Sequence, residues 1–207
     1  MNVEQTVLAE PPITAPPGLI TVEEWGAMEM PPYYELVNGR LQETPEVAFW
    51  QDILLVKFTM FLAAHVERHG LGDIAGPTSR LRISALRGRM PDIFLIRPDQ
   101  IPLAGRNVFH GVPPLAVEAV SPTTEHIDRT DKSAEYAQLG IGQYWIVDFP
   151  NRAIEIYELR ELPDGGRAYE LTETVTGEGM FRPSLFPGLE IPLARIWPTA
   201  YENRTED

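Results

Sequence analysis

Two short runs constrain this chain most. Ile93-Phe94-Leu95-Ile96 and Leu115-Ala116-Val117-Glu118-Ala119-Val120 are apolar with no polar alternation. That is the pattern of strands covered on both faces. Strands of this kind need helices packed above and below their sheet, so the runs point to a mixed α/β fold. Each run also carries one acid, Asp92 just before the first and Glu118 inside the second. A carboxylate in such surroundings is costly unless a cation meets it. Either one of the arginines, in a structural ion pair, or a bound metal ion satisfies that need.

The flanking pattern agrees with this class. Thr21-Val22-Glu23-Glu24 has capping-box spacing and predicts a short helix reaching Met30, stopped by Pro31. Asn38-Gly39 between Tyr33–Val37 and Arg40–Glu43 predicts a hairpin, because both turn positions need positive φ. A long helix is predicted over 47–69, ended by Gly70. Fifteen of the twenty residues from Val47 to Val66 are apolar, and the polar ones share no face. This predicts burial on several sides, with a homodimer through helix 47–69 as one way to cover it. Strands are further expected at 72–75, 79–84, 143–148, 153–159 and 168–174, with a helix over 128–139 ended by Gly140. The predicted order is helix, three or four strands, helix, strand. Residues 1–18 hold Pro11, Pro12, Pro16 and Pro17 and read as a flexible lead-in. Residues 19–197 read as one domain and 198–207 as a polar tail, with the proline-rich stretch before the tail irregular.

Composition removes several classes of function. With no cysteine there is no disulfide scaffold, zinc ribbon, iron–sulfur site or thiol nucleophile. Thirty acids against 17 basic residues give a net charge of −13, which opposes bulk attraction to nucleic acid. His65 and His69 lack the glutamate that a metalloprotease helix places directly after its first histidine. No signal peptide or clean membrane span is read, so the expectation is a cytoplasmic protein without membrane contact.

The cationic residues are more informative than the net charge. Fifteen are arginines and only two, Lys57 and Lys132, are lysines. Lys132 follows Asp128 by four residues on the helix after the Glu118 strand, so the two share a face. An ordinary surface pair is one reading. A compact ammonium meeting phosphate oxygens or a water is the other.

Tyr34-Glu35-Leu36-Val37-Asn38-Gly39, Pro91-Asp92, Val117-Glu118-Ala119-Val120-Ser121-Pro122-Thr123-Thr124, Asp128, Lys132, Tyr136 and Gly140-Ile141-Gly142-Gln143-Tyr144-Trp145-Ile146-Val147-Asp148 occur in order. Over residues 20–195 this series resembles the bacterial restriction-endonuclease-like proteins called Uma-two, or domain of unknown function 820. The resemblance implies a restriction endonuclease-like PD-(D/E)XK core, a mixed sheet in helix-strand-strand-strand-helix-strand order flanked by helices, here with an N-terminal hairpin. It implies Asp92 and Glu118 as the motif acids, Glu35 as an additional acid, and Lys132 replacing the lysine that would fall at Val120. Trp50 stands where the family often has histidine, and Pro113-Pro114 where it usually has Pro-Asp.

The activity implied by the resemblance is that of a nuclease hydrolysing phosphodiester bonds in DNA. Glu35, Asp92 and Glu118 would hold Mg²⁺ or Mn²⁺, Lys132 would act on the water or the developing charge, and Asp128 would support it. Arg80, Arg82, Arg87 and Arg89 form the one basic island, with no acid from Ile74 to Met90. They are candidates for phosphate contact, although charge runs are ordinarily solvated faces. The alternative functions are a nuclease fold that binds nucleic acid or a partner without cleaving, and a dimeric scaffold.

Overall fold

The computed structural model describes residues 15–29, 34–45 and 49–198. The proline-rich lead-in before residue 15, Met30 to Tyr33, Glu46 to Ala48 and the tail from residue 199 lie outside them. Helix α1 (Val22–Ala27) carries the complete capping box: Thr21 Oγ1 accepts from the Glu24 N–H at 3.1 Å, and Glu24 accepts from the Thr21 N–H at 2.6 Å. The helix stops at Ala27, short of the predicted end. Strands β1 (Tyr34–Val37) and β2 (Arg40–Glu43) form the expected hairpin. Its turn has Asn38 at φ 52° and Gly39 at φ 71°, the left-handed pair that an Asn-Gly sequence tolerates.

Helix α2 (Phe49–Arg68) gives way at Gly70, whose φ is 61°. Its buried residues are Gln51, Leu54, Leu55, Phe58, Leu62, His65 and Val66, a single stripe at helical spacing. Within the single chain the helix is buried along this one stripe and not on several sides. Phe49, Val56 and Met60 are 69, 55 and 67% exposed. By length and composition α2 could cross a membrane, but its buried stripe is built into the core.

The main sheet has six strands in the order β11-β10-β9-β8-β6-β3. These are β3 (Asp73–Ala75), β6 (Ile93–Ile96), β8 (Leu115–Val120), β9 (Gln143–Asp148), β10 (Ala153–Glu161) and β11 (Arg167–Thr176). Within it only β8 and β9 are parallel, joined by the crossover that contains α3 (Ser133–Leu139). All its other neighbours are antiparallel. Every residue of β8 and β9 is buried, as their apolar runs require. One face packs Leu115, Val117, Trp145 and Val147 against α2, while Ala116, Tyr144 and Ile146 meet Tyr136 of α3 on the other.

Two features go beyond the predicted order. A second sheet, β2-β1-β5-β4-β7, ties the hairpin to β4 (Arg80–Ser84), β5 (Arg87–Arg89) and β7 (Val108–Phe109). The proline-rich C-terminal stretch is ordered into the core rather than irregular. It forms the small pair β12 (Met180–Phe181) and β13 (Ile191–Pro192), followed by α4 (Leu193–Ile196). Phe181, Phe186, Ile191, Ile196 and Trp197 join the cluster under α2.

Candidate active site

The strands deliver their acids to one place. Asp92 sits at the start of β6, and Glu118 lies on the neighbouring β8. A cleft of about 670 Å³ is lined by both, together with Glu35, Asp128 and Lys132. The helix after β8 opens with α-helical Glu125 and His126 but does not continue so. Residues Ile127–Lys132 form a π-helical turn that leads into α3, a local widening found often at functional sites. This turn brings Asp128 and Lys132 over Glu118.

Lys132 Nζ lies 2.9 Å from Glu118 Oε2 and 2.9 Å from Asp128 Oδ1. All three side chains are nearly inaccessible, at 12, 3 and 3% exposure. The Tyr136 hydroxyl, one turn beyond Lys132, donates to Glu118 Oε1 at 2.7 Å. Asp92 Oδ2 accepts from the Ala119 N–H at 2.7 Å. The Ala119 carbonyl in turn accepts from the Gln51 side-chain amide on α2. Ala119, the residue after Glu118, is thus held through both its N–H and its carbonyl.

The electrostatics follow from burial. Burial pushes the Asp92 carboxyl up to about 6, and the nearby Asp128 and Glu35 add to it, while Lys132 and the Ala119 N–H hold it down. Burial also lifts Glu118 well above the ordinary glutamate range, with Asp92 and Asp128 contributing. The surrounding carboxylates hold the Lys132 ammonium well above its usual value despite its burial. Asp92, Glu118 and Asp128 share one ammonium, so with all three ionised the cluster is two positive charges short.

Glu35 lines the same cleft but is engaged elsewhere. Its Oε1 accepts from the Met90 N–H at 3.0 Å and its Oε2 from Arg89 at 2.6 Å. Glu35 thus shares the cleft with Asp92 and Glu118, but both of its carboxylate oxygens are already bonded, to Met90 and Arg89. Among the described residues no three acids or histidines come together in a metal-holding group. Arg89, 3% exposed, also clamps Glu135 of α3 through Nε at 2.7 Å and a second nitrogen at 2.8 Å.

The rest of the basic island is also held within the fold. Arg87 bonds Glu135 and Asn38. Arg80 donates to the carbonyls of Trp25 and Gly26 at 2.9 and 3.1 Å and lies 5.0 Å over the Trp25 ring. Arg82 is 3.9 Å from Glu23. All four arginines of the island thus have partners inside the protein, as the solvated-face reading anticipates in part.

Sequence reasoning assigned no role to Gln51, Tyr136 or Glu135. Tyr136 carried a signal, since it follows Lys132 by four residues on one helix face. Gln51 and Glu135 carried none, because their partners lie 68 and 46 residues away.

An antiparallel-parallel mixed sheet with two strand carboxylates and a helix lysine at one cleft has the form of a nuclease-like core. The chain belongs to the Uma2 family, described as "putative restriction endonuclease", whose profile it matches over residues 22–194. It is similar in structure to a crystal structure from Anabaena variabilis titled a "putative nuclease belonging to DUF820". The TM-score is 0.67 at 16% identity, covering 86% of this chain and 97% of that one. A search of curated proteins returned no match.

Proposed function

We propose that this chain is a cytoplasmic, divalent-cation-dependent endonuclease that hydrolyses phosphodiester bonds in DNA. One observation carries the reading: in an open cleft the buried Glu118 and Asp128 share the single ammonium of Lys132 with Asp92 beside them, so with all three ionised the cluster is two positive charges short. A divalent cation supplies that amount. The donors suit a hard ion of the Mg²⁺ or Mn²⁺ type, which takes oxygen ligands and often only one or two carboxylates, the rest being water and substrate phosphate. Asp92 and Glu118 are the side chains to hold it. When bound, the ion lowers the pKa of an attacking water and offsets charge on the phosphate.

The chain's own residues do the remaining work. Lys132 presents a charged donor where negative charge develops, fixed in advance by Glu118 and Asp128. Tyr136 holds the Glu118 carboxylate in one orientation, and the pinned Ala119 peptide keeps Asp92 beside it. Glu35 serves as an anchor that joins β1 to Arg89 and, through it, to α3.

The test is a cleavage assay on plasmid, linear and single-stranded DNA with Mg²⁺ or Mn²⁺, beside Lys132→Ala and Asp92→Ala. Cleavage that needs the cation and is lost in both variants is expected. Cleavage unchanged in both would place the site elsewhere. Calorimetry gives an independent readout, with cation binding lost in Asp92→Ala. A second reading, a nuclease fold that binds nucleic acid without cutting it, is favoured by the engagement of Lys132, whose ammonium is already held by Glu118 and Asp128. DNA binding without cleavage in any cation would select it.

A further inference from the structure

A second cavity, of about 550 Å³, lies along the C-terminal half of α2 and the segment Gly188–Arg195. It is separate from the acidic cleft, which α2 reaches only through Phe49, Gln51 and Asp52 at its other end. Met60, Phe61, Ala64 and Leu189 give this second cavity an apolar lining. Lys57, Arg68 and Arg195 stand around it.

These three cations differ from much of the protein's arginine in having no carboxylate partner among the described residues. Arg87, Arg89, Arg129, Arg160 and Arg182 are each bonded to a carboxylate. Among the described residues, no acid lies within ion-pair distance of Lys57, Arg68 or Arg195. Arg195 instead lies 5.2 Å over the Phe61 ring, a contact that fixes the guanidinium at the cavity edge. Glu190, the one acid lining the cavity, is bonded to Arg182 at 2.8 Å. His65 also contributes to the wall, and burial holds its imidazole below the ordinary value, so it adds little positive charge at neutral pH. A chain of net charge −13 has acids in excess to neutralise surface cations. Three cations on the rim of an apolar hollow of ligand size, spread along the helix and the C-terminal segment, form a surface complementary to an anion with an apolar body.

We infer that this cavity binds a small amphiphilic organic anion, with its hydrocarbon or aromatic body against Met60, Phe61 and Leu189 and its acidic head at the cationic rim that Lys57, Arg68 and Arg195 form. The head is a carboxylate or a phosphate monoester. The inference does not rest on the nuclease reading, and its test measures binding.

The experiment is calorimetric titration of the full chain at neutral pH with decanoate, beside decanol, decylammonium and inorganic phosphate. Decanoate is expected to bind one-to-one and more tightly than the other three, because only it offers both the apolar body and the charge. Lys57→Ala, Arg68→Ala and Arg195→Ala each remove one exposed or half-buried charge and should weaken decanoate about two- to fivefold. The triple variant should weaken it on the order of tenfold or more. Ala64→Trp, on the exposed side of α2, fills the cavity and should abolish binding while the melting temperature holds. Four results overturn the inference: no saturable decanoate binding, decanol binding as tightly as decanoate, affinity unchanged in the triple variant, or duplex DNA displacing decanoate from the site.

Discussion

Lys132 Nζ and Glu118 Oε2 are 2.9 Å apart, in a position where neither side chain has more than marginal contact with solvent. Such a pair has two faces. Removing one partner leaves an uncompensated buried charge and costs about 3–5 kcal/mol, whereas removing both together is often close to neutral. On the proposed function catalysis also needs the ammonium itself, and loss of one preorganised donor then costs on the order of 10²–10³ in rate. Lys132→Met should therefore lose both stability and cleavage. Lys132→Met combined with Glu118→Gln and Asp128→Asn, which neutralises both carboxylates bonded to the ammonium, should regain much of the stability and none of the cleavage. Chemical denaturation beside a plasmid assay checks this. Cleavage that returns with stability would reduce Lys132 to a structural residue.

Asp92 predicts a pH dependence of defined sign. Its folded-state value is raised from 3.8 to about 6, so between these values the native state binds more protons than the unfolded one. Stability then falls as pH rises through that window. The full effect above pH 6 is on the order of 2–3 kcal/mol against the cation-free protein. Asp92→Asn should remove this component, melting higher than wild type at pH 7 without divalent cation and showing a flatter profile between pH 4 and 6. Added Mg²⁺ or Mn²⁺ should raise the melting temperature of wild type and leave Asp92→Asn unmoved. A variant no more stable than wild type at pH 7 would refute the account of Asp92.

The sequence revealed this site unevenly, for physical reasons. β8 and β9 were legible because a strand buried on both faces must be continuously apolar, and a lone acid within it is conspicuous. The hairpin was legible because Asn38-Gly39 solves a backbone problem that few other pairs solve. The second sheet was not, because β5 is Arg87-Gly88-Arg89 and β7 only Val108-Phe109. Such short strands owe their existence to tertiary pairing and show no periodicity. The prolines of the C-terminal stretch masked its core role, although Phe181, Phe186, Ile191 and Trp197 all lie there. Glu35 illustrates the limit for chemistry. Its place near the site followed from the family resemblance, but its engagement by Arg89, 54 residues away, belongs to the fold alone.

That engagement separates two roles for Glu35. A ligand loses its function when its charge is removed, while an anchor loses mostly stability. Glu35→Gln keeps one acceptor for Arg89 or the Met90 N–H, and should cost about 1–3 kcal/mol through weakened charge-assisted bonds. Cation affinity by calorimetry should change less than about threefold, under a surface-pair magnitude of coupling. Arg89→Met should be more damaging, about 3–5 kcal/mol, since it leaves Glu35 and Glu135 without their shared cation. Cation binding lost in Glu35→Gln, at unchanged stability, would return Glu35 to the ligand set.

Tyr136 ties α3 to the chemistry. Its hydroxyl donates to Glu118 at 2.7 Å inside the core, and burial and the Glu118 charge both keep it protonated. Tyr136→Phe should cost about 1.5–3 kcal/mol, the range for a hydrogen bond to a charged acceptor. Because Glu118 would also lose a donor that favours its charged form, cation binding should weaken and the pH at which cleavage rises should move upward. A pH–rate profile distinguishes this from simple loss of stability, which would lower activity at every pH alike.

Arg80 separates fold from nucleic-acid contact within the basic island. Its guanidinium closes the C-terminal end of α1 by bonding the Trp25 and Gly26 carbonyls and covering the Trp25 ring. Removing it leaves those carbonyls short of a donor, at a cost of about 1–3 kcal/mol. A residue in phosphate contact behaves differently, because its loss reduces the salt slope of DNA binding by about one. Arg80→Ala should therefore lower the melting temperature while the slope of log K against log salt stays as in wild type. A slope reduced by about one at unchanged stability would show that Arg80 leaves α1 to meet DNA, and that the island reads phosphate after all.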